Sequence, residues 1–322
     1  MILILLACTS TLAVVEKRPR DSGATDTGDT GDTGDTGDTG DTEPPLVEYD
    51  CDALPSAPLE QNELTAPRGY HDVLISPDGY GYGFDGSSLV RSPRDGPLEV
   101  FLPRPGNIQQ MDWLPDGDMV VGDDATQSIK RIDSTGASSV IASGLGAVYG
   151  VVTGPDDHVW VANGNSIYRV DPATGESTEW SRLGRGVQSH SLAFKPGDAR
   201  LYIGSLGTGV VYTVAFDENY ARVGEPEEYA RIDGSGWHDG VAFDACGNLF
   251  VADYYTSGLY RVAPDLTVTT FFRGRRLLYG HGIEWGNGVG GWRADALYLP
   301  QPYDNNTVRE VVIGVPWAWA VE

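Results

Sequence analysis

Three of the chain's five histidines, His71, His190 and His281, fall at one phase of a repeat of about forty residues. Asp239 holds the same phase. Imidazole nitrogens with one carboxylate suit a divalent transition ion, zinc over calcium, because calcium prefers an all-oxygen shell. An ion left with an open position would polarise a substrate or acidify a bound water. The complete ring of equivalent positions reads His71, Gln109, Tyr149, His190, Asp239 and His281, with Asp239 and Tyr149 as the candidate catalytic residues. The competing reading of the same ring is a hydrated channel mouth whose polar residues avoid burial. A second ring, Asp85, Asp123, Asn163, Ser205, Asp253 and Gln301, reads as turn capping through side-chain to backbone bonds. Of the other histidines, His158 sits in a turn and is expected to be exposed, whereas His238 adjoins Asp239 and Trp237.

Distant residues can meet only if the elements that carry them close on themselves. The clearest unit, His238 to Val262, reads as an apolar strand, a turn at Cys246-Gly247-Asn248, a second strand, a short loop and a third strand. The same order begins at Tyr70, Gln109, Tyr149, Ser189 and His281. Equivalent first-strand residues are Val73, Met111, Val151, Leu192, Val241 and Ile283. That spacing is the length of one four-stranded propeller blade, and β-rich runs such as Leu98–Leu102 and Thr267–Phe272 supply outer strands. The predicted fold is all-β: a six-bladed β-propeller over residues 69–322. Blade six needs an outer strand, for which Gln61–Pro67 is preferred to Val315–Trp319. Once the ring closes, blades four, five, six and one are consecutive, so His190, Asp239, His281 and His71 form one arc.

The N-terminus has a different composition. Residues 1–8 read as a lipoprotein-type signal segment, because Leu5-Leu6-Ala7-Cys8 fits a lipobox with Cys8 as the lipidation site. Only seven residues precede Cys8 and none is basic. Residues 9–45, rich in Asp-Thr-Gly repeats, cannot bury apolar surface and read as a disordered acidic tether. Residues 46–68 lead into the ring. Export would put the domain in the cell envelope, outside the cytoplasm, held to the membrane by lipid alone. Cys51 and Cys246 could then pair as a disulfide. The net charge of −24 argues against nucleic acid, which needs a basic surface. No nucleophile elbow, phosphate loop or metalloprotease helix motif is present.

From about Tyr70 to Gly314 the chain resembles the gluconolactonase/senescence-marker-protein superfamily and the related NHL-repeat propellers. The strand–turn–strand units carry the likeness, above all His238-Asp239-Gly240-Val241 running on to Asn248-Leu249-Phe250-Val251-Ala252-Asp253. The resemblance implies a metal-dependent lactonase in which Asp239 matches the family's aspartate, a metal ligand and proposed base. Elsewhere the pattern departs: Tyr70 stands at the family's Glu position, His190 at an Asn, and Val148-Tyr149 replace Asn-Asp. A second likeness is to peptidyl-hydroxyglycine amidating lyase, through the steps His71-Asp72-Val73, His190-Ser191-Leu192 and His281-Gly282-Ile283. It implies histidine-held zinc, here drawn from blades four, six and one instead of alternate blades.

Two functions follow. One is a small-molecule hydrolase or lyase with a zinc-like ion at the channel mouth. The other is a non-catalytic surface lipoprotein that presents a ligand- or protein-binding face, with Trp113, Trp237 and Tyr254-Tyr255 as aromatics near the mouth. A monomer is expected in either case.

Overall fold

The computed structural model describes residues 48–234, 236–274 and 282–321. Cys8, the Asp-Thr-Gly tether and His281 lie outside the described residues. Six four-stranded antiparallel sheets make a six-bladed propeller. The inner strands are Val73–Ile75, Ile108–Trp113, Gly150–Thr153, Gln188–Phe194, His238–Phe243 and Glu284–Trp285, for blades one to six in turn. Each is followed by two antiparallel strands, and in blades one to five by an outer strand.

Alternation along each strand sends apolar side chains to both faces of a sheet, where they meet the neighbouring blades. The buried clusters therefore straddle blade boundaries. Tyr202 and Val211 of blade four pack with Val241, Phe243 and Leu249 of blade five. Trp160 and Ile167 of blade three pack with Phe194, Leu201 and Phe216 of blade four.

Blade six is completed by the N-terminal strand Glu60–Leu64, which pairs with Thr307–Val312 from Glu60 opposite Val312 to Leu64 opposite Val308. The segment after residue 314 does not join that sheet. It bridges to blade five at Asp244 and Trp317 and ends in the 3-10 turn Ala318–Val321. A buried ion pair also ties the seam: Arg94 of blade one donates to Glu310 of blade six at 2.8 Å. Tyr298 and Asn62 also donate to the Glu310 carboxylate. Cys51 and Cys246 are disulfide-bonded, fixing the lead-in segment to the turn after the inner strand of blade five.

Candidate functional site

The inner strands of blades two, four and five share one irregularity. Their pairing with the second strand slips between Ile108 and Met111, between Ser189 and Ser191, and between His238 and Gly240. The extra residues are Gln109 with Gln110, then His190, then Asp239. A bulge frees a side chain from the alternation of its strand and re-aims it. The repeat phase noted in the sequence is therefore, in these three blades, a row of bulges.

Two of those side chains meet. His190 Nδ1 lies 2.9 Å from Asp239 Oδ1, and both side chains are almost wholly buried. The Tyr149 ring stacks on the His190 imidazole with centroids 5.1 Å apart and planes 16° from parallel. Burial, with the Asp124 charge secondary, pushes the Tyr149 hydroxyl above its ordinary pKa. Gly150 makes this approach possible, because a Cβ there would run into the His190 carbonyl oxygen. On blade five the loop is set by Asp253, whose Oδ2 accepts from Gly236 N and Trp237 N while Oδ1 accepts from Thr256.

Gln110, rather than the ring residue Gln109, crosses the channel. Its Nε2 donates to the Asp239 carbonyl oxygen at 3.4 Å and its Oε1 accepts from Val151 N. His71 packs edge-on against Tyr70, with centroids 4.3 Å apart. His238 is fully buried, and burial lowers its pKa against the opposing charge of Asp253. Most of the second ring holds turns or strand ends through side-chain hydrogen bonds. Asp85 Oδ1 accepts from Ser87 N and Ser88 N, Asp123 from Asn107 N and Ala125 N, and Gln301 Oε1 from Thr307. His158 is half-buried rather than exposed, held beside Asp156 and Arg169, because the turn is short and the Asp156 carboxylate lies against both side chains.

Of the four expected metal ligands, His190 and Asp239 come together in a direct contact, His71 is described, and His281 is not. Among the described residues no three His, Cys, Asp or Glu side chains could hold an ion. With His281 outside the described residues the four are not seen together, and no step below is routed through a metal ion.

The far end of the same strands differs in character. A cavity of about 1010 Å³ is lined by the last residues of the inner strands, by Tyr49 and by Pro316–Ala320. Trp113 belongs here, at the end of its strand, and not beside Trp237; six residues of inner strand separate the two levels. Three acids line the cavity, and the sequence reading passed over all of them. Glu284 Oε1 accepts from Ile75 N, Asp72 Oδ2 from Met111 N, and Asp112 Oδ2 from Thr153 N. Each acid thus fastens its blade to the next. Burial raises Asp72 to about 8 and Asp112 to about 6, and raises Glu284 well above the carboxylate range with help from Asp72 and Asp112. The signal was available: a charged residue inside an apolar inner strand, as in Met111-Asp112-Trp113 and Ile283-Glu284-Trp285.

No protein-family model matches the chain, and no curated protein does. Solved structures do match in fold. A gluconolactonase from Xanthomonas campestris is 14% identical over 86% of this chain and 96% of its own, with a TM-score of 0.67. A calcium-binding regucalcin from Agrobacterium tumefaciens is 16% identical over 79% and 94%, with a TM-score of 0.65. A catalytically inactive histidine-to-alanine variant of virginiamycin B lyase from Staphylococcus aureus, with quinupristin, is 19% identical over 79% and 88%, with a TM-score of 0.56. The chain has the six-bladed propeller fold of the gluconolactonase and regucalcin proteins.

Proposed function

We propose that the histidine-bearing mouth is a small-molecule active site of hydrolase or lyase type, in which the His190–Asp239 pair moves a proton. The observation that carries this reading is the buried 2.9 Å contact between two side chains that separate bulges aim at each other. The two atoms stand at hydrogen-bonding distance, and alignment of Nδ1–H with the carboxylate as substrate binds would fix the tautomer and leave Nε2 as the nitrogen that takes the proton. Tyr149 limits rotation of the ring by lying on its face. Such a pair takes a proton from a water or a carbon acid and returns it to the leaving group. The named activities of the fold neighbours, lactone hydrolysis and a lyase disabled by loss of one histidine, support the class.

Turnover of a panel of lactones, cyclic esters and cyclic depsipeptides tests the proposal. His190→Ala and Asp239→Asn should each lower the rate by about 10²–10⁴-fold. Turnover that survives both substitutions overturns it. A zinc-like ion at His71, His190, Asp239 and His281 is a separate, finer proposal. It is supported by the donor chemistry of that set and tested by elemental analysis of tag-free protein. Export on a lipidated Cys8 belongs to the same reading, supported by the Cys51–Cys246 disulfide, and mass spectrometry of the N-terminus tests it.

One observation favours the binding-module reading. Trp237 is 43% exposed and stacks on Tyr254, which reaches Tyr303, itself 67% exposed. This aromatic platform beside the mouth would hold a flat ligand or partner. Ligand capture that is insensitive to His190→Ala and lost on Trp237→Ala would support that second reading.

A further inference from the structure

The cavity at the opposite end of the channel has a charge pattern that the proposed chemistry does not use. Its walls are apolar and aromatic, including Trp113, Phe194, Phe243, Trp285, Trp317 and Trp319. A volume of about 1010 Å³ is at the upper end for small-molecule sites. Trp317 and Tyr49 are partly exposed at its rim, so the space communicates with solvent.

Among the described residues no Lys, Arg or His lines it, yet Asp72, Asp112 and Glu284 do. Whatever formal charge these described side chains carry is negative, and Asp72 and Asp112 oppose the ionisation of Glu284. The lining also carries polar atoms that a space-filling wall would not need. The Trp285 indole N–H and the Thr153 hydroxyl are buried with no partner among the described residues, and Trp285 is only 5% exposed. Buried polar atoms of this kind ask for a ligand or water.

We propose that this cavity binds a hydrophobic ammonium ion, its apolar body against the tryptophans and its charged nitrogen beside Glu284 and Asp112. A cation placed there offsets the mutual repulsion of the acids, and its N–H groups donate to carboxyl oxygens that have lone pairs to spare. An alcohol of the same shape could donate one neutral hydrogen bond but brings no charge, and an acid would bring negative charge to a wall that already resists ionisation. The lining includes neither His190 nor Asp239, so this site does not rest on the reading of the mouth.

The test uses the whole chain and three probes of one skeleton: 4-phenylbutylamine, 4-phenylbutanol and 4-phenylbutyrate. Titration calorimetry at pH 8 gives the affinities, and tryptophan fluorescence locates the site. The amine should bind at least about tenfold more tightly than the alcohol, a difference of about 1.4 kcal/mol, with the acid weakest. Glu284→Gln keeps an oxygen for Ile75 N and should bring amine and alcohol within about threefold. Asp112→Asn, with its folding checked by circular dichroism, is the second variant. Equal binding of amine and alcohol overturns the proposal. So does no binding of any probe at millimolar concentration, or an amine preference that survives both substitutions.

Discussion

The side-chain amide of Gln110 in blade two donates to the main-chain carbonyl of Asp239 in blade five, across the axis of the ring. Blades two and five are diametrically opposed, so one glutamine fixes both the width of the channel at this level and the backbone under the carboxylate that holds His190. Gln110→Ala removes two buried hydrogen bonds, the second being the one from Val151 N. Stability should fall by about 1–3 kcal/mol, measured by urea unfolding. Activity at the mouth should fall with it as Asp239 loses its support.

Asp112 gives a pH dependence with a definite sign. Burial holds its pKa at about 6 in the folded chain, above the ordinary 3.8. Its contribution to stability is therefore full below 3.8 and lost as pH rises through about 6. Asp112→Asn keeps an acceptor for Thr153 N but carries no charge. Relative to the parent, this variant should gain up to about 3 kcal/mol between pH 4 and pH 8. Thermal melts across that range check it; parallel curves for the two proteins would show that the carboxyl is not perturbed. Glu284 and Asp72, which face the same space, bend the parent curve the same way.

Glu310 is fully buried and accepts from Arg94, Tyr298 and Asn62, and its pKa is held below the ordinary glutamate value against the opposing effect of burial. Arg94→Ala leaves that carboxylate without its cation. The expected cost is about 3–5 kcal/mol, read as a loss in denaturant midpoint. Glu310→Gln, which no longer needs a cation, should recover much of it in the Arg94→Ala background.

Cys51 and Cys246 close a loop with a sequence separation of 195 residues. Loop-closure entropy sets a ceiling of about 5 kcal/mol on what the bond contributes. Cys246→Ser should lower stability by about 2–5 kcal/mol, and limited proteolysis should then cut first near residues 48–58, the segment the bond secures.

Much of the ring was legible because its signal is long-range and redundant. Val73, Met111, Val151, Leu192, Val241 and Ile283 mark the inner strands regardless of local detail, and all six blades follow. The site was legible only in part. Sequence spacing brought His190 and Asp239 to one level, but alternation alone would not turn both into the channel; bulges do that, and a bulge leaves no compositional mark at Ser189-His190-Ser191. The same slip in blade two moved the spanning side chain from Gln109 to Gln110. Trp113 lies in the cavity and not at the mouth because it is the last residue of its inner strand rather than the first. Asp112 and Glu284 stand one residue after Met111 and Ile283, whereas Asp72 stands one before Val73, so no shared repeat phase marks the three acids.

The sheet that seals the ring joins residues about 250 positions apart: Glu60 lies opposite Val312 and Leu64 opposite Val308. During synthesis the strand Glu60–Leu64 leaves the ribosome early, and its partner Thr307–Val312 is among the last segments made. Until then five blades can form while the first-made strand waits with an unsatisfied edge. A nascent chain halted before Thr307 has nowhere to dock it, so the toroid is completed only when translation is nearly over.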